Sequence, residues 1–413
     1  MFHPYLSRAI SQRLLKLFEN FPCLVITGAR QVGKSTLLSH LFPNLRSIVF
    51  DPIHDIQNAR KDPELFINNN PSPLILDEIQ YAPELVPIIK RKVDQTKKPS
   101  QYILTGSQQW AVLKNASESL AGRAVLSHLE SFSLAELGKQ TNTATWLERW
   151  LQNPDISSIQ PANRLHLPFT LLEQLWRGFF PEAQFLDLDL IPDFQSSYQA
   201  TYVQKDIRLL ADISDIGLFG RFIRLVAATT GQEVNYSQLG REIGLTPQTA
   251  RRWLTLLEQT FEWFEIPAFS NNSLKKVSLK PKGYFADTGQ VCFSQMISSK
   301  EAIASHPMWG SLFETAVVAE IRKRCFVMPV PPKLYHWRLH SGAECDLILE
   351  RDGKFYPIEI KAKTTPNKSD TNGMTAFRKY HPHLNVQKGL VIAPINEVYA
   401  LSEQDFAIPW DLA

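Results

Sequence analysis

The sequence predicts an α/β protein of several domains, led by an open and mostly parallel sheet. Three observations carry this expectation. From Phe21 the chain reads FPCLVITGARQVGKSTLLSHLF, a β-branched apolar run, a glycine-bearing turn and then an apolar helix pattern. Further apolar runs at 46–50, 73–76 and 102–104 are separated by helical or polar stretches, the alternation of a sheet covered by helices on both faces. Finally, 413 residues that are 44% hydrophobic supply cores for two to three domains at roughly 150 residues each.

Charge and cysteine usage narrow the class. Forty-four Lys plus Arg against forty-one Asp plus Glu leave a formal +3, too little for a polycationic coat, so any nucleic-acid contact must be local. Cys23, Cys292, Cys325 and Cys345 lie far apart without CxxC spacing, which suggests neither a disulfide framework nor a structural zinc site and favours a reducing, cytoplasmic address. The first residues, MFHPYLSRAISQRLLKLF, interrupt their apolar positions with Arg8, Arg13 and Lys16, unlike a signal peptide. No run of about 18 apolar residues suggests a membrane span.

The first element with chemistry is GARQVGKST, Gly28 to Thr36, which fits GxxxxGK[ST] between a predicted strand and a predicted helix. Amide N–H groups of Gly28, Ala29, Arg30, Gln31, Val32 and Gly33 would face phosphates at the helix N-terminus. Lys34 would neutralise phosphate charge, Ser35 would ligate Mg²⁺, and Thr36 would add an α-phosphate contact. The second is PLILDEIQ, whose apolar run delivers Asp77 and Glu78 to the strand end at which open α/β sheets bind ligands. Asp77 would hold Mg²⁺ through water, and Glu78 would orient the attacking water. The third, QYILTGSQQW, ends in Thr105, Gly106 and Ser107 and is expected between the other two in sheet order, with Ser107 sensing the γ-phosphate; alone, TGS is equally a plain strand terminus. Arg123 in SLAGR is either a guanidinium reaching a neighbouring subunit's phosphate or a surface arginine.

With these four elements in this order, the first 135 residues resemble an AAA+ superfamily ATPase. GARQVGKSTLL, LILDEIQYAPEL, YILTGS and ESLAGR, followed by YVQKDIR and KGYFADTG, are similar to the AAA_14 ATPases that carry a C-terminal domain called DUF4143. Phe179 and Gln290 depart from that pattern, where a second Gly and a Leu are usual. The resemblance implies an ATP-driven switch organised as a P-loop NTPase domain (1–135), a helical lid (136–216), a winged helix-turn-helix (217–295) and a C-terminal α/β domain similar to restriction endonucleases (296–413). It also implies a homo-oligomer in which Arg123 acts in trans.

The later segments carry their own patterns. QLGREIGLTPQTARRWLTLLEQ reads as helix-turn-helix, with Thr246 as cap and Pro247 in the first turn, followed by two strands of a hairpin wing. Gln248, Thr249, Arg251, Arg252 and the wing residues Lys275, Lys276, Lys280 and Lys282 offer phosphate contacts, against the alternative of a packing domain. Beyond it, strands are expected at 334–339, 344–350 and 354–361, the last two joined by a tight turn at Asp352-Gly353. Glu314 on a helix, Asp346 on a strand, and Glu359 and Lys361 in PIEIKAK resemble the PD-(D/E)XK nuclease pattern. Three carboxylates there would hold Mg²⁺ while Lys361 helps deprotonate a water. Arg322, Lys323 and Arg324 suit a helix C-terminus. Trp176, Phe179, Phe180, Tyr198 and Tyr202 read as a helical core in preference to base-stacking groups. The expected function is therefore ATP hydrolysis with Mg²⁺ that drives nucleic-acid binding or processing, DNA favoured. The alternative is a nucleotide-dependent scaffold that binds a protein partner through an inactive C-terminal domain.

Overall fold

Five strands make the first sheet: β1 (Cys23–Thr27), β2 (Arg46–Val49), β3 (Leu74–Asp77), β4 (Tyr102–Gly106) and β5 (Ala124–His128). They run parallel in the order β2-β3-β4-β1-β5. The computed structural model describes residues 4–107, 120–141, 143–160, 163–202, 207, 213, 215–270, 279–339 and 342–413. Strand alternation divides the apolar residues between two cores. Leu24, Ile26, Ile75 and Ile103 pack with Leu14 and Phe18 of helix Ser11–Asn20 and with Leu37 and Leu38 of helix Lys34–Leu41. Cys23, Val25, Leu74, Leu76, Tyr102 and Leu104 face Phe66 and Ile67 of helix Pro63–Asn69 and Leu85, Val86 and Ile89 of helix Leu85–Thr96. Burial on both faces explains why β1, β3 and β4 are continuous apolar runs and why their polar ends gather at one edge.

The chain then turns helical, as expected. Ser133 and Glu136 form a capping box at helix Leu134–Leu137, and Thr145 and Glu148 form another at Trp146–Gln152. Helix Leu171–Arg177 stops at Gly178, where φ is +79° and a Cβ would lie 2.1 Å from Asp287 Oδ1. Asp287 also accepts from the N–H groups of Phe179 and Gly289, which places both FFPE and FADTG at one buried joint. The departures at Phe179 and Gln290 are accommodated there. The Phe179 ring lies under Lys323 Nζ at 4.2 Å, and the Gln290 amide donates to Gln195. Trp176, Phe179, Phe180, Tyr198 and Tyr202 are all buried core.

Helices Ile216–Ala228, Tyr236–Ile243 and Pro247–Gln259 are each opened by a side-chain cap, Asp215, Asn235 and Thr246. Trp253 locks the first to the third, 5.2 Å and 5.4 Å from the rings of Phe219 and Phe222. A three-stranded antiparallel sheet completes this module, with β6 (Gln232–Glu233), β7 (Trp263–Ile266) and β8 (Lys282–Phe285) in the order β6-β8-β7. Lys275 and Lys276 lie outside the described residues.

The last module sets helix Trp309–Val327 against a mixed sheet. β9 (Lys333–Arg338), β10 (Glu344–Arg351) and β11 (Lys354–Ile360) are antiparallel, with both turn residues between β10 and β11 at positive φ, Asp352 at +53° and Gly353 at +71°. The sheet continues through strands that sequence patterning did not single out. β13 (Gly389–Ala393) and β15 (Asp405–Pro409) extend it in parallel, with the short β12 (Asn385–Val386) beside β11 and β14 (Tyr399–Ala400) at the far edge. All four cysteines are buried and free of disulfides. Among the described residues no helix is long and apolar enough to cross a membrane.

Candidate nucleotide site and the acidic cluster of the C-terminal sheet

Sheet order fixes the first site. β4 lies between β1 and β3, so Thr105 and Ser107 stand between the glycine-rich loop after β1 and the acids after β3. The loop is held from below. Gly28 has φ +157°, and a Cβ there would fall 2.0 Å from the carbonyl oxygen of Leu129. Gln31 and Gly33 also adopt positive φ, +60° and +91°, and Gly33 opens helix Lys34–Leu41. Buried Lys34 donates to the Gly28 and Ala29 carbonyls at 2.9 Å and 2.8 Å, which keeps an ammonium inside the turn where phosphate charge would gather. Arg30 reaches Tyr81 Oη at 2.8 Å.

Opposite the loop, Ser35 Oγ donates to Asp77 Oδ2 at 2.6 Å, and Thr105 donates to Asp77 Oδ1. The Glu78 N–H donates to Thr105 Oγ1 at 3.2 Å. Glu78 is left-handed (φ +58°, ψ +47°), a conformation costing a non-glycine residue about 1–3 kcal/mol. Its carboxylate receives Gln80 Nε2, which also donates to Ser107 Oγ at 3.1 Å. One hydrogen-bonded chain thus joins Ser35, Asp77, Thr105, Glu78, Gln80 and Ser107. Sequence reasoning passed over Gln80; its signal was position, two residues after the acid in a turn that folds back. A hydroxyl and a carboxylate, hard oxygen donors, fit a small divalent cation.

Arg123 is not part of this group. It precedes β5, and its carbonyl accepts from Cys23 N–H at the start of β1, whereas the loop follows the other end of that strand. Five residues at about 3.3 Å each separate the two edges by roughly 16 Å. Its guanidinium pairs with Asp94 at 2.5 Å and is partly exposed. Within one chain it cannot contact a phosphate held by Lys34.

Two supports of the loop were not legible as such. Arg8, 5% exposed, donates to Val32 O at 2.8 Å, to Glu130 O at 2.6 Å and to Glu136 Oε1 at 3.0 Å. Leu129, which underlies Gly28, is flanked by His128 and Glu130. His128 Nε2 meets Glu130 Oε1 at 2.6 Å, and its ring lies 4.6 Å from Phe261 and 4.7 Å from Phe326. Arg322 pairs with Glu130 and lies over the rings of Phe264 and Phe326, at 4.4 Å and 4.7 Å. Burial pushes the Glu130 carboxyl up, but Arg322 and His128 more than offset it and hold it well below the usual range. Lys323 donates to Phe132 O at 2.8 Å, and Arg324 pairs with Glu320 at 2.8 Å. Arg324 also donates to Leu412 O at 3.3 Å, so the three cations expected to suit the helix C-terminus bind this helix to its neighbours.

The C-terminal constellation comes together in a different form from the one its spacing predicts. Glu314 Oε1 accepts from Lys282 Nζ at 2.5 Å and from Tyr284 Oη at 2.8 Å. Lys282 Nζ also lies 3.6 Å from Asp346 Oδ1. Asp346 Oδ2 accepts from the Ile360 N–H at 2.9 Å and from Lys361 Nζ at 3.4 Å, and Lys361 pairs with Glu359 at 2.9 Å. Two expectations need correction. Lys282 cannot serve as a phosphate contact, because its side chain is buried against two carboxylates. Burial disfavours the Lys361 ammonium, but Asp346 and Glu359 more than compensate and raise its pKa. Burial, with Asp346 beside it, raises Glu359 well above the carboxylate range. Among the described residues no group of three or more His, Cys, Asp or Glu is placed to hold a metal ion. Glu314, Asp346 and Glu359 do not fit Mg²⁺ in this arrangement.

Similarity to known families covers most of the chain. The AAA domain family matches residues 20–138, a domain of unknown function (DUF8612) matches 169–301, and a domain of unknown function (DUF4143) matches 309–413. Uncharacterized proteins of Mycobacterium tuberculosis and Mycobacterium bovis are each 25% identical over 405 residues, covering 98% of this chain and 83% of theirs. Among solved structures, a Walker-type ATPase of Pyrococcus abyssi aligns with 69% of this chain and 94% of its own at 16% identity and a TM-score of 0.38. The RuvB Holliday junction branch migration motor of Thermotoga maritima aligns with 66% and 95% at 13% identity and 0.29. The domain matches support an AAA-like ATPase, with nucleotide binding and hydrolysis as its general activity.

Proposed function

We propose that this protein hydrolyses ATP with Mg²⁺ and uses its nucleotide state to switch the engagement of nucleic acid, DNA by preference, in a homo-oligomer. The observation that carries the reading is the hydrogen-bonded chain from Ser35 to Ser107 across the strand ends, facing Lys34. Bound Mg²⁺ supplies charge neutralisation at the phosphates. Ser35 and Asp77 would hold it, while the loop amides of residues 28–33 and Lys34 orient the triphosphate. Glu78 positions the attacking water and accepts its proton, and Gln80 holds that carboxylate and reports its state to Ser107. Arg123, too distant in its own chain, completes a neighbour's site.

The contacts of His128 and Glu130 with Phe261, Phe326 and Arg322 support transmission from the loop to both later modules. Among the described residues, exposed Gln248, Arg251, Arg252 and Lys280 on the helical module with its small sheet, read as a winged helix, are available for phosphate contact. The test is Glu78→Gln beside Lys34→Ala. Glu78→Gln should keep ATP affinity and lose turnover by at least about 10²-fold, whereas Lys34→Ala should lose affinity. Full turnover in either variant overturns the assignment. Nucleic-acid affinity should change between ATP and ADP and fall steeply with salt.

A second reading is favoured by one observation. The lysine-filled acidic cluster suits a non-cleaving C-terminal domain whose output is held contact with a protein partner; a stable partner with no nucleic-acid effect on ATP turnover would select it.

A further inference from the structure

We infer that the acidic cluster of the C-terminal sheet is a lysine-filled latch that clamps β8 onto the last domain, and is not a metal centre. The nuclease-like residues are all present, but each cation position among them is taken by the chain itself. The Lys282 ammonium stands between Glu314 and Asp346, 2.5 Å and 3.6 Å from their nearest oxygens. Mg²⁺ would need oxygens at about 2.0–2.1 Å in octahedral geometry, which cannot coexist with that ammonium. The other Asp346 oxygen is committed to the Ile360 amide and Lys361.

Glu359 is closed off as well. A Cβ on Gly373 would lie 2.1 Å from Glu359 Oε1 and 1.8 Å from the Glu344 carbonyl, so the backbone of helix Asn372–Tyr380 sits directly over that carboxyl. Glu314, Asp346 and Lys282 line a polar cavity of about 490 Å³ between the two modules, and Glu359 and Lys361 are not among its walls. An ion arriving through this cavity meets two acids already bridged by an ammonium.

The latch belongs to a continuous joint. Tyr284, two residues along β8, donates to Glu314 at 2.8 Å. His336 of β9 exchanges backbone bonds with Pro267 and Phe269 beyond β7, at 3.0 Å and 2.7 Å, and its ring contacts Lys280 O at 3.1 Å. The small sheet is thus zipped along the edge of the larger one, and Lys282 fixes the register of that contact through charge. This assignment is independent of the ATPase reading, since it uses no residue of the nucleotide site.

Two measurements on the full chain without nucleotide test it. Mn²⁺ titrations of the wild type and Asp346→Asn should coincide; uptake by the wild type that Asp346→Asn abolishes, and Asp77→Asn does not, overturns the inference. In hydrogen exchange, Lys282→Met should speed the amides of β8 and of residues 267–269 by about a hundredfold, with β1, β3 and β4 unchanged. Pairing Lys282→Glu with Glu314→Lys should restore protection. Where Lys282→Met does not fold, Glu314→Gln, which preserves shape and the Tyr284 bond, reads the same loss. Unchanged protection in these variants refutes the latch.

Discussion

A single methyl group at Gly28 should disable the nucleotide site while leaving its charged groups in place. In Gly28→Ala the new Cβ would lie 2.0 Å from Leu129 O, and contacts below 3.0 Å essentially never occur, so at least about 1 Å of separation must open. Leu129 cannot retreat freely, because its own N–H is bonded to Thr27 O at 2.8 Å, tying the end of β5 to β1. The adjustment therefore falls on the loop, whose φ of +157° at this residue is already unfavourable for a side chain. A misplacement of about 1 Å can cost about 10² in rate, and the amides that would meet the phosphates move with the loop. Calorimetric titration with ATP and Mg²⁺, together with phosphate release, should show affinity and turnover each reduced by about that factor. Gly33→Ala adds a methyl without a clash against the protein. Its Cβ would meet nothing closer than 3.7 Å, so only backbone strain of about 1–3 kcal/mol is added. Gly28→Ala binding ATP within about twofold of wild type would refute the argument, since about 1 Å of displacement should not pass unnoticed.

Arg123→Ala should leave ATP affinity unchanged and depress hydrolysis by about 10³-fold or more only where subunits assemble, the scale of an arginine supplied in trans. Turnover measured against protein concentration, beside sedimentation, decides it; wild-type turnover throughout removes the trans role. On helix Pro247–Gln259, burial and then the neighbouring Glu265 raise Glu258 to about 7. A carboxyl with a raised folded pKa binds its proton more tightly when folded, so stability is greatest below the unfolded value and declines as pH rises toward 7. Hydrogen exchange in that helix should quicken between about pH 4.5 and 7, and Glu258→Gln should flatten the profile; an unchanged slope in the variant rejects this source.

The nucleotide site was legible because its chemistry is written in short, local spacings. A strand, a glycine-bearing turn and a helix start occupy consecutive residues, and the expected placement of β4 between β1 and β3 is how the chain folds. The strands around Asp346 and Glu359 were found within a residue or two because Asp352-Gly353 demands a hairpin. What escaped the sequence is long-range. Lys282 reads as one wing lysine among several until β8 is seen beside Glu314, 32 positions later in the chain. Arg322 to Arg324 read as cations suited to a helix C-terminus, but that end is packed against other modules, where Arg322 ties to Glu130, Lys323 to Phe132 O and Arg324 to Leu412 O. Arg8 had no motif; its role arises only because the chain before the first helix passes under the loop and meets Glu136.

The floor beneath Gly28 and the hinge pins of the later modules are neighbouring peptide units, for Leu129 is seated between His128 and Glu130. Among the described residues this contact is direct, and close-packed interiors hand strain onward. On the proposed ATPase reading, a triphosphate that moved the loop at Gly28 would therefore press on Phe261, Phe326 and Arg322 in the same stroke.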